Sequence, residues 1–312
     1  MEKKFVSVVL YLHNHESDVE NFFNSSLKTI RENFENFELI CVDDGCTDKT
    51  IEVTRNYFAT SFPEDNISVL TMGTYQGLEA SMNAGRDYSI GDFVFEFDTP
   101  QIDYEADLIM KAFESINQGS DISIVAPKGN SGLSSSIFYG IFNLFSRNNN
   151  KICSDTFRII SRRAINRIKS ISDFVPYRKA LYANCGLKAS TLKYKPLSGK
   201  HIKKEKETYE RLNLAFDSFV YFTNFLERLS TAISVFFLLF SVGSVVYALW
   251  DHFSNGSVIE GWTSTICFIS FGFFGIFVLL TIILKYLSVI VNLIFRRQKY
   301  IVESVEKIGG KA

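Results

Sequence analysis

Asp43 and Asp44 follow directly on an apolar run, Leu39-Ile40-Cys41-Val42, and are themselves followed by Gly45, Thr47 and Asp48. Two adjacent carboxylates at the end of a buried strand are costly unless they hold a cation, a hydroxyl or a base edge. They are equally able to cap the helix that starts near Lys49, and the stretch by itself leaves both readings open. A second acidic tip, Asp98-Thr99-Pro100-Gln101-Ile102-Asp103, ends the apolar run that begins at Asp92. Asn14 and Thr74 stand in the same position after two further runs. If these tips meet, the chemistry they suit is an oxygen-rich crevice for a nucleotide whose diphosphate is bridged by a divalent cation.

The elements that have to bring them together alternate regularly. Strands are expected at Phe5 to Leu12, Phe37 to Asp44, Ile67 to Met72, Asp92 to Asp98 and Asp121 to Ala126. Helices are expected from a capping box at Ser17-Asp18-Val19-Glu20, from Lys49, from Gly77 to Tyr88 and from Glu105 to Asn117. This alternation predicts an α/β fold with a parallel, doubly wound, Rossmann-like sheet and helices on both faces. Right-handed crossovers put the carboxyl ends of such strands on one edge, where ligands bind. No GxGxxG turn follows the first strand, which argues against a nicotinamide or flavin enzyme. From Ser131 to Lys200 the pattern is less regular. Ile137 to Phe145 and Ser161 to Lys169 read as helices, and Phe157 to Ile160 and Leu192 to Pro196 as strands.

A formal net charge of -1 offers no field to attract nucleic acid, so none is expected as a partner. The five cysteines show no CxxC spacing and read as reduced thiols, with no zinc site and no disulfide framework. His13 and His15 read as part of the loop after the first strand. Lys3-Lys4 before an apolar run imitates a signal peptide, but no small-residue cleavage site follows.

The C-terminal third changes character. The run from Gly199 to Lys206, GKHIKKEK, suits a solvated loop or a grip on phosphate or anionic headgroups. Tyr209 to Leu229 reads as an aromatic helix lying in a membrane interface. Residues 231–250 and 262–284 are each apolar for the length that spans a bilayer. The loop between them carries no Lys or Arg, whereas both outer flanks are basic, which places the flanks in the cytoplasm. The expected organisation is a cytoplasmic sheet domain over 1–205, an interfacial helix over 206–228, a two-helix hairpin within 229–295 and a basic cytoplasmic tail over 296–312. Such a protein is multi-pass in the plasma (inner) membrane. Gly272 and Gly275 in the second span allow close helix contact and a possible homo-oligomer.

With these residues in view, the chain resembles the family-two inverting glycosyltransferases of GT-A fold. It resembles more narrowly the polyisoprenyl-phosphate glycosyltransferases, among them dolichol-phosphate mannose synthase and the bactoprenol glucosyltransferases. Val8-Val9-Leu10 with Asn14 and Glu16 resembles that family's first strand and its YNEE tip. Val42 to Asp48 resembles VDDGSTD; Gly77, Gly85 and Gly91-Asp92 match its glycine spacing; Phe157-Arg158 with Ser161-Arg162-Arg163 resembles its FRL-x-R-R segment. Gly261-Trp262-Thr263-Ser264 and Tyr286-Leu287 resemble the membrane hairpin of the bactoprenol branch.

The resemblance implies transfer of a sugar from a nucleoside diphosphate sugar to a polyisoprenyl phosphate, with a divalent cation, Mg or Mn, as cofactor. Leu12, Asn14, Glu16, Asp43, Asp44, Thr74 and Gly77 would bind the nucleotide. Asp98 would hold the cation, helped by Glu96 on the same strand face or by Asp103. Arg158, Lys200, Lys203 and Lys204 would grip the acceptor phosphate. If the acceptor were a sugar hydroxyl instead, Asp155 or Asp103 would serve as base. Pro100 departs from the family pattern, since it stands where the second Asp of DxD is expected and cannot ligate through a side chain. A membrane protein that keeps the fold without turnover is the rival that Pro100 supports.

Overall fold

The computed structural model describes residues 1–128, 155–171, 177–197, 261–295 and 300–309, with scattered helical positions between 229 and 250. The chain divides into two units, Met1–Ala215 with Arg297–Ala312, and Phe216–Arg296.

The first unit is built on an eight-stranded mixed sheet in the order β7-β5-β6-β4-β1-β2-β3-β8. The strands are β1 (Glu2–Leu12), β2 (Phe34–Asp43), β3 (Asn66–Met72), β4 (Phe93–Phe97), β5 (Ile122–Pro127), β6 (Phe157–Ser161), β7 (Ala189–Tyr194) and β8 (Val302–Lys307). β4, β1, β2 and β3 are parallel neighbours, so their carboxyl ends share one edge as the alternation predicts. β6 and β8 run antiparallel to their neighbours, which makes the sheet mostly rather than wholly parallel.

Strand residues alternate between two packed faces. Val6, Val8, Leu10, Leu39 and Cys41 join one core with Phe22, Phe23, Phe58 and Phe113 from the helices. These helices are α1 (Val19–Phe22), which continues through a π-helical turn, Phe23–Leu27, into α2 (Lys28–Asn33), then α3 (Thr50–Ser61) and α5 (Asp107–Asn117). The opposite face carries Val9 and Val42 under α4 (Leu78–Tyr88). There Gly85 is required by proximity: a Cβ on it would lie 2.5 Å from Val9 Cγ1 and 2.7 Å from Val42 Cγ2. Two further helices, α6 (Arg162–Ile171) and α7 (Arg178–Asn184), complete the described part of the unit.

Two expectations need correcting. The capping box at Ser17 to Glu20 makes no side-chain cap; Asp18 instead accepts from Gln101 Nε2 at 3.2 Å. The tail after residue 296 is not a free extension, because Val302 to Lys307 pairs antiparallel with β3 and forms an edge of the sheet. The helix expected at 137–145, the interfacial helix over 206–228 and the basic run with Lys200, Lys203 and Lys204 lie outside the described residues.

In the second unit, helical positions from 229 to 250 face α8 (Trp262–Phe295). The Phe237 and Phe271 rings are 5.0 Å apart and those of Phe240 and Phe268 5.7 Å apart. Phe237 also fills the notch left by Gly275, so that glycine serves a contact inside the chain. Several side chains of α8 lie outside the described residues. Counted over the described residues, no helix is long and apolar enough to cross a membrane.

Candidate active site

Three loops at the carboxyl edge are sewn together around Asp44. This side chain is fully buried. Its Oδ1 accepts from the backbone N–H of Gln76 at 2.7 Å. Its Oδ2 accepts from the backbone N–H of Gly77 at 2.8 Å and from the Tyr11 hydroxyl at 3.0 Å. One carboxylate therefore binds the ends of β1, β2 and β3. Gly77 has φ +84°, a left-handed conformation that presents its N–H without the strain a side chain would add.

The loop after β1 is fastened to the loop after β2 in the same manner. Asn14, itself at φ +58°, accepts through Oδ1 from the backbone N–H groups of Thr47 at 2.7 Å and Asp48 at 3.2 Å. The N–H of Glu16 donates to Asp48 Oδ2 at 3.1 Å, and Glu16 Oε2 accepts from Lys49 N–H at 3.4 Å. The His13 and Tyr75 rings touch with centroids 4.7 Å apart. Asp43, at the tip of β2, spends Oδ1 on the Cys46 N–H at 2.9 Å. Leu12, paired in register with Asp43, is buried beneath this frame, and Thr74 is exposed on the loop after β3. Burial pushes the Cys46 thiol up to about 12, so it is not a nucleophile at neutral pH.

The second acidic tip sits in a buried ionic network. Glu96 on β4 lies opposite Arg158 on β6 in the strand register. Arg158 donates from Nη2 to Asp98 Oδ2 at 2.7 Å and from Nη1 to Glu96 Oε2 at 3.3 Å. Arg178, the first residue of α7, donates from Nη2 to Asp98 Oδ1 at 2.8 Å and from Nη1 to Glu96 Oε2 at 2.8 Å. The Tyr182 hydroxyl donates to Glu96 Oε1 at 2.8 Å. Glu79 on α4 accepts from the Arg178 backbone N–H at 2.9 Å and from Nε at 3.0 Å. Asp155 pairs with Arg158, 2.8 Å from Nε but off the line of a hydrogen bond, and with Lys179. Burial opposes ionisation of Asp98, but Arg158 and Arg178 outweigh it and hold the carboxyl well below its usual range.

The expected nucleotide residues Asn14, Glu16, Asp43, Asp44 and Gly77 thus meet at one edge, and Asp98, Glu96, Arg158 and Asp155 meet in one network. Asp103 stands apart, buried, with Oδ1 accepting from the Tyr194 hydroxyl, which also contacts Thr156 Oγ1 at 2.6 Å. Among the described residues no group of three or more acidic, His or Cys side chains is arranged to hold a metal. Arg178, Glu79 and Tyr182 were not anticipated. The signal for them is Glu96, a carboxylate inside the apolar strand Phe93-Val94-Phe95-Glu96-Phe97, which cannot be buried without a cation.

Comparison with known proteins follows the same lines. The model of the family described as glycosyl transferase family 2 matches residues 7–169, just over half of the chain. An uncharacterized glycosyltransferase of Synechocystis, sll0501, is 24% identical and the match spans 58% of each chain. The uncharacterized glycosyltransferase YkcC of Bacillus subtilis is 23% identical over 98% of this chain and 95% of its own. An undecaprenyl-phosphate 4-deoxy-4-formamido-L-arabinose transferase of Photorhabdus laumondii is 27% identical over 38% of this chain and 36% of its own. The mannosyltransferase PcManGT of Pyrobaculum calidifontis, solved with GDP-Man and Mn2+, shares the fold at a TM-score of 0.51 and 14% identity, over 95% of this chain and 89% of its own.

Proposed function

From the premise that the chain belongs to glycosyl transferase family 2, and is thus a transferase of sugars, we propose the donor, the acceptor and the setting. The donor is a nucleoside diphosphate sugar. Its nucleoside lies over the edge where Asn14, Glu16, Asp43, Thr74 and Gly77 converge, framed by Asp44. The observation that carries this reading is the convergence itself: three parallel strand ends joined through one buried carboxylate, at the edge where α/β sheets bind ligands. The likeness to PcManGT, solved with GDP-Man, is consistent with it.

The acceptor is a polyisoprenyl phosphate, and the product a lipid-linked sugar for glycan assembly. A phosphate with a second pKa near 6 is largely dianionic at neutral pH and attacks without help from a strong base. A hydroxyl acceptor needs a carboxylate base that it can reach. The Asp155 carboxylate lies buried between Arg158 and Lys179, and Asp103 is buried against the Tyr194 hydroxyl, so neither is open to an incoming hydroxyl, which favours the phosphate. Lys200, Lys203 and Lys204 remain the candidates for the acceptor's charge; Arg158, expected among them, is fully buried and already paired with Glu96, Asp98 and Asp155. The partial relative that acts on undecaprenyl phosphate supports the same acceptor class.

The setting is the cytoplasmic face of the plasma membrane, with 231–250 and 262–284 as the anchoring hairpin. In support, the second unit exposes a broad apolar surface in which Leu239, Phe274, Phe277 and Leu284 are each more than 60% exposed. Aqueous solvent does not tolerate such a surface, and acyl chains do. The test is to incubate membranes containing the protein with a panel of radiolabelled nucleotide sugars and extract the lipids. Label in a phosphate-bearing lipid fraction, absent from membranes without the protein, is expected. Absence of lipid label with every donor would overturn the acceptor assignment.

A further inference from the structure

A solved neighbour of this fold holds Mn2+, and the family resemblance implies a divalent cation at Asp98, at the tip of β4. The residues present do not fit one. Both oxygens of Asp98 and both of Glu96 already receive guanidinium or hydroxyl donors, at 2.7 to 3.3 Å. Position 100 is proline, with no side-chain ligand to offer. Asp103 is buried and turned to Tyr194. A cation at Asp98 would have to share both oxygens with two guanidinium groups 2.7 and 2.8 Å away, which repel it.

We infer that the β4 tip binds no divalent cation, and that the buried pair Arg158 and Arg178 cancels from within the fold the negative charge that a cation would otherwise have to offset. The inference rests on reading this edge as the seat of a nucleoside diphosphate. An acidic tip facing a diphosphate repels it, and a bound cation would reverse that sign. Here the sign is cancelled permanently: Glu79, Glu96, Asp98 and Asp155 are matched by Arg158, Arg178 and Lys179, with Arg86 held to the same network through Tyr182 at 3.0 Å. Arg158 and Arg178 are fully buried, so they are positioning residues that fix Asp98 and neutralise it. They do not themselves touch the donor. The proline at position 100 is then no loss, because the second metal carboxylate has nothing to ligate.

Two measurements on the full chain in detergent test this, and they fail separately. In the first, Mn2+ is titrated into the protein and followed by electron paramagnetic resonance, without nucleotide. The free Mn2+ signal is expected to grow as in buffer. A stoichiometric site that disappears in Asp98→Asn overturns the inference, whatever the protein binds. In the second, affinity for UDP and for GDP is measured in EDTA and in Mn2+. The affinity of the nucleotide that binds is expected to agree within about twofold, whereas a metal-bridged diphosphate loses about tenfold or more. A loss of that size in EDTA overturns the inference; binding of neither nucleotide under either condition overturns the donor site on which it rests. Arg178→Met supplies a readout that a purely structural role would not move. Mn2+ is expected to raise the melting temperature of this variant and to leave the wild type unchanged. A folded Arg178→Met protein indifferent to Mn2+ refutes the substitution of arginine for metal. If that variant does not fold, the wild-type titration still decides.

Discussion

Asp44→Asn keeps the size and shape of the side chain and removes one acceptor. Asp44 now accepts two backbone N–H groups, from Gln76 and Gly77, and one hydroxyl. An amide has one oxygen and one NH2, so in either orientation it turns a donor toward one of those N–H groups. The Tyr11 hydroxyl can rotate to accept, but a backbone N–H cannot. One part-buried N–H is therefore left without its partner, at about 1–3 kcal/mol, and the remaining bonds lose their charge assistance. The expected loss is about 2–3 kcal/mol, or a fall in melting temperature of about 5–10 °C for a unit of this size. Thr74→Ala on the neighbouring exposed loop is the control, expected within about 0.5 kcal/mol of wild type. Thermal melts of the purified protein, monitored by far-UV dichroism, measure both. Equal melting of Asp44→Asn and wild type would refute the view of this carboxylate as the joint of three loops.

Three other outcomes are expected. Gly85→Ala drives a methyl into Val9 and Val42 and should destabilise by about 1–3 kcal/mol by overpacking, measurable in urea. Arg158→Met leaves Asp98, Glu96 and Asp155 short of a buried cation and should cost about 3–5 kcal/mol in the same assay, far more than removing the exposed Arg55–Glu306 pair, worth about 0–1 kcal/mol. Because the folded state holds the Asp98 carboxyl below its ordinary 3.8, its contribution is complete above that value and is lost as pH falls toward the depressed one. The melting advantage of wild type over Asp98→Asn should accordingly stay level from about pH 7 to about pH 5 and shrink below about pH 4.

The carboxyl-edge tips were legible because each ends an unbroken apolar run, and parallel crossovers leave such ends no other edge. β1 to β4 and their helices follow from that pattern with boundaries shifted by a few residues. What the pattern does not carry is the use to which an atom is put. Asp44 reads as a ligand for a nucleotide, yet three protein donors occupy it, a fact that depends on the path of the loop at 73–77. Arg178 lies on a helix of seven residues, too short for a periodic signal. β8 escapes for a different reason: Val302-Glu303-Ser304-Val305-Glu306-Lys307 is mostly exposed and follows a basic stretch, so its polarity reads as tail. Its place is set by pairing with β3, more than 200 residues earlier in the chain.

That last strand has a consequence for anyone wishing to work with the sheet domain alone. Cutting the chain ahead of its apolar helices would discard Val302 to Lys307 and leave the ladder of β3 open along its length, an invitation to aggregation. It would also untie Ile301, whose N–H and carbonyl clasp the Gln76 side chain at 2.8 and 2.6 Å and whose carbonyl accepts from Gly73 at 3.0 Å. A version of the sheet domain should instead join residue 215 to residue 297 through a flexible bridge, so that the fragment retains its own hem.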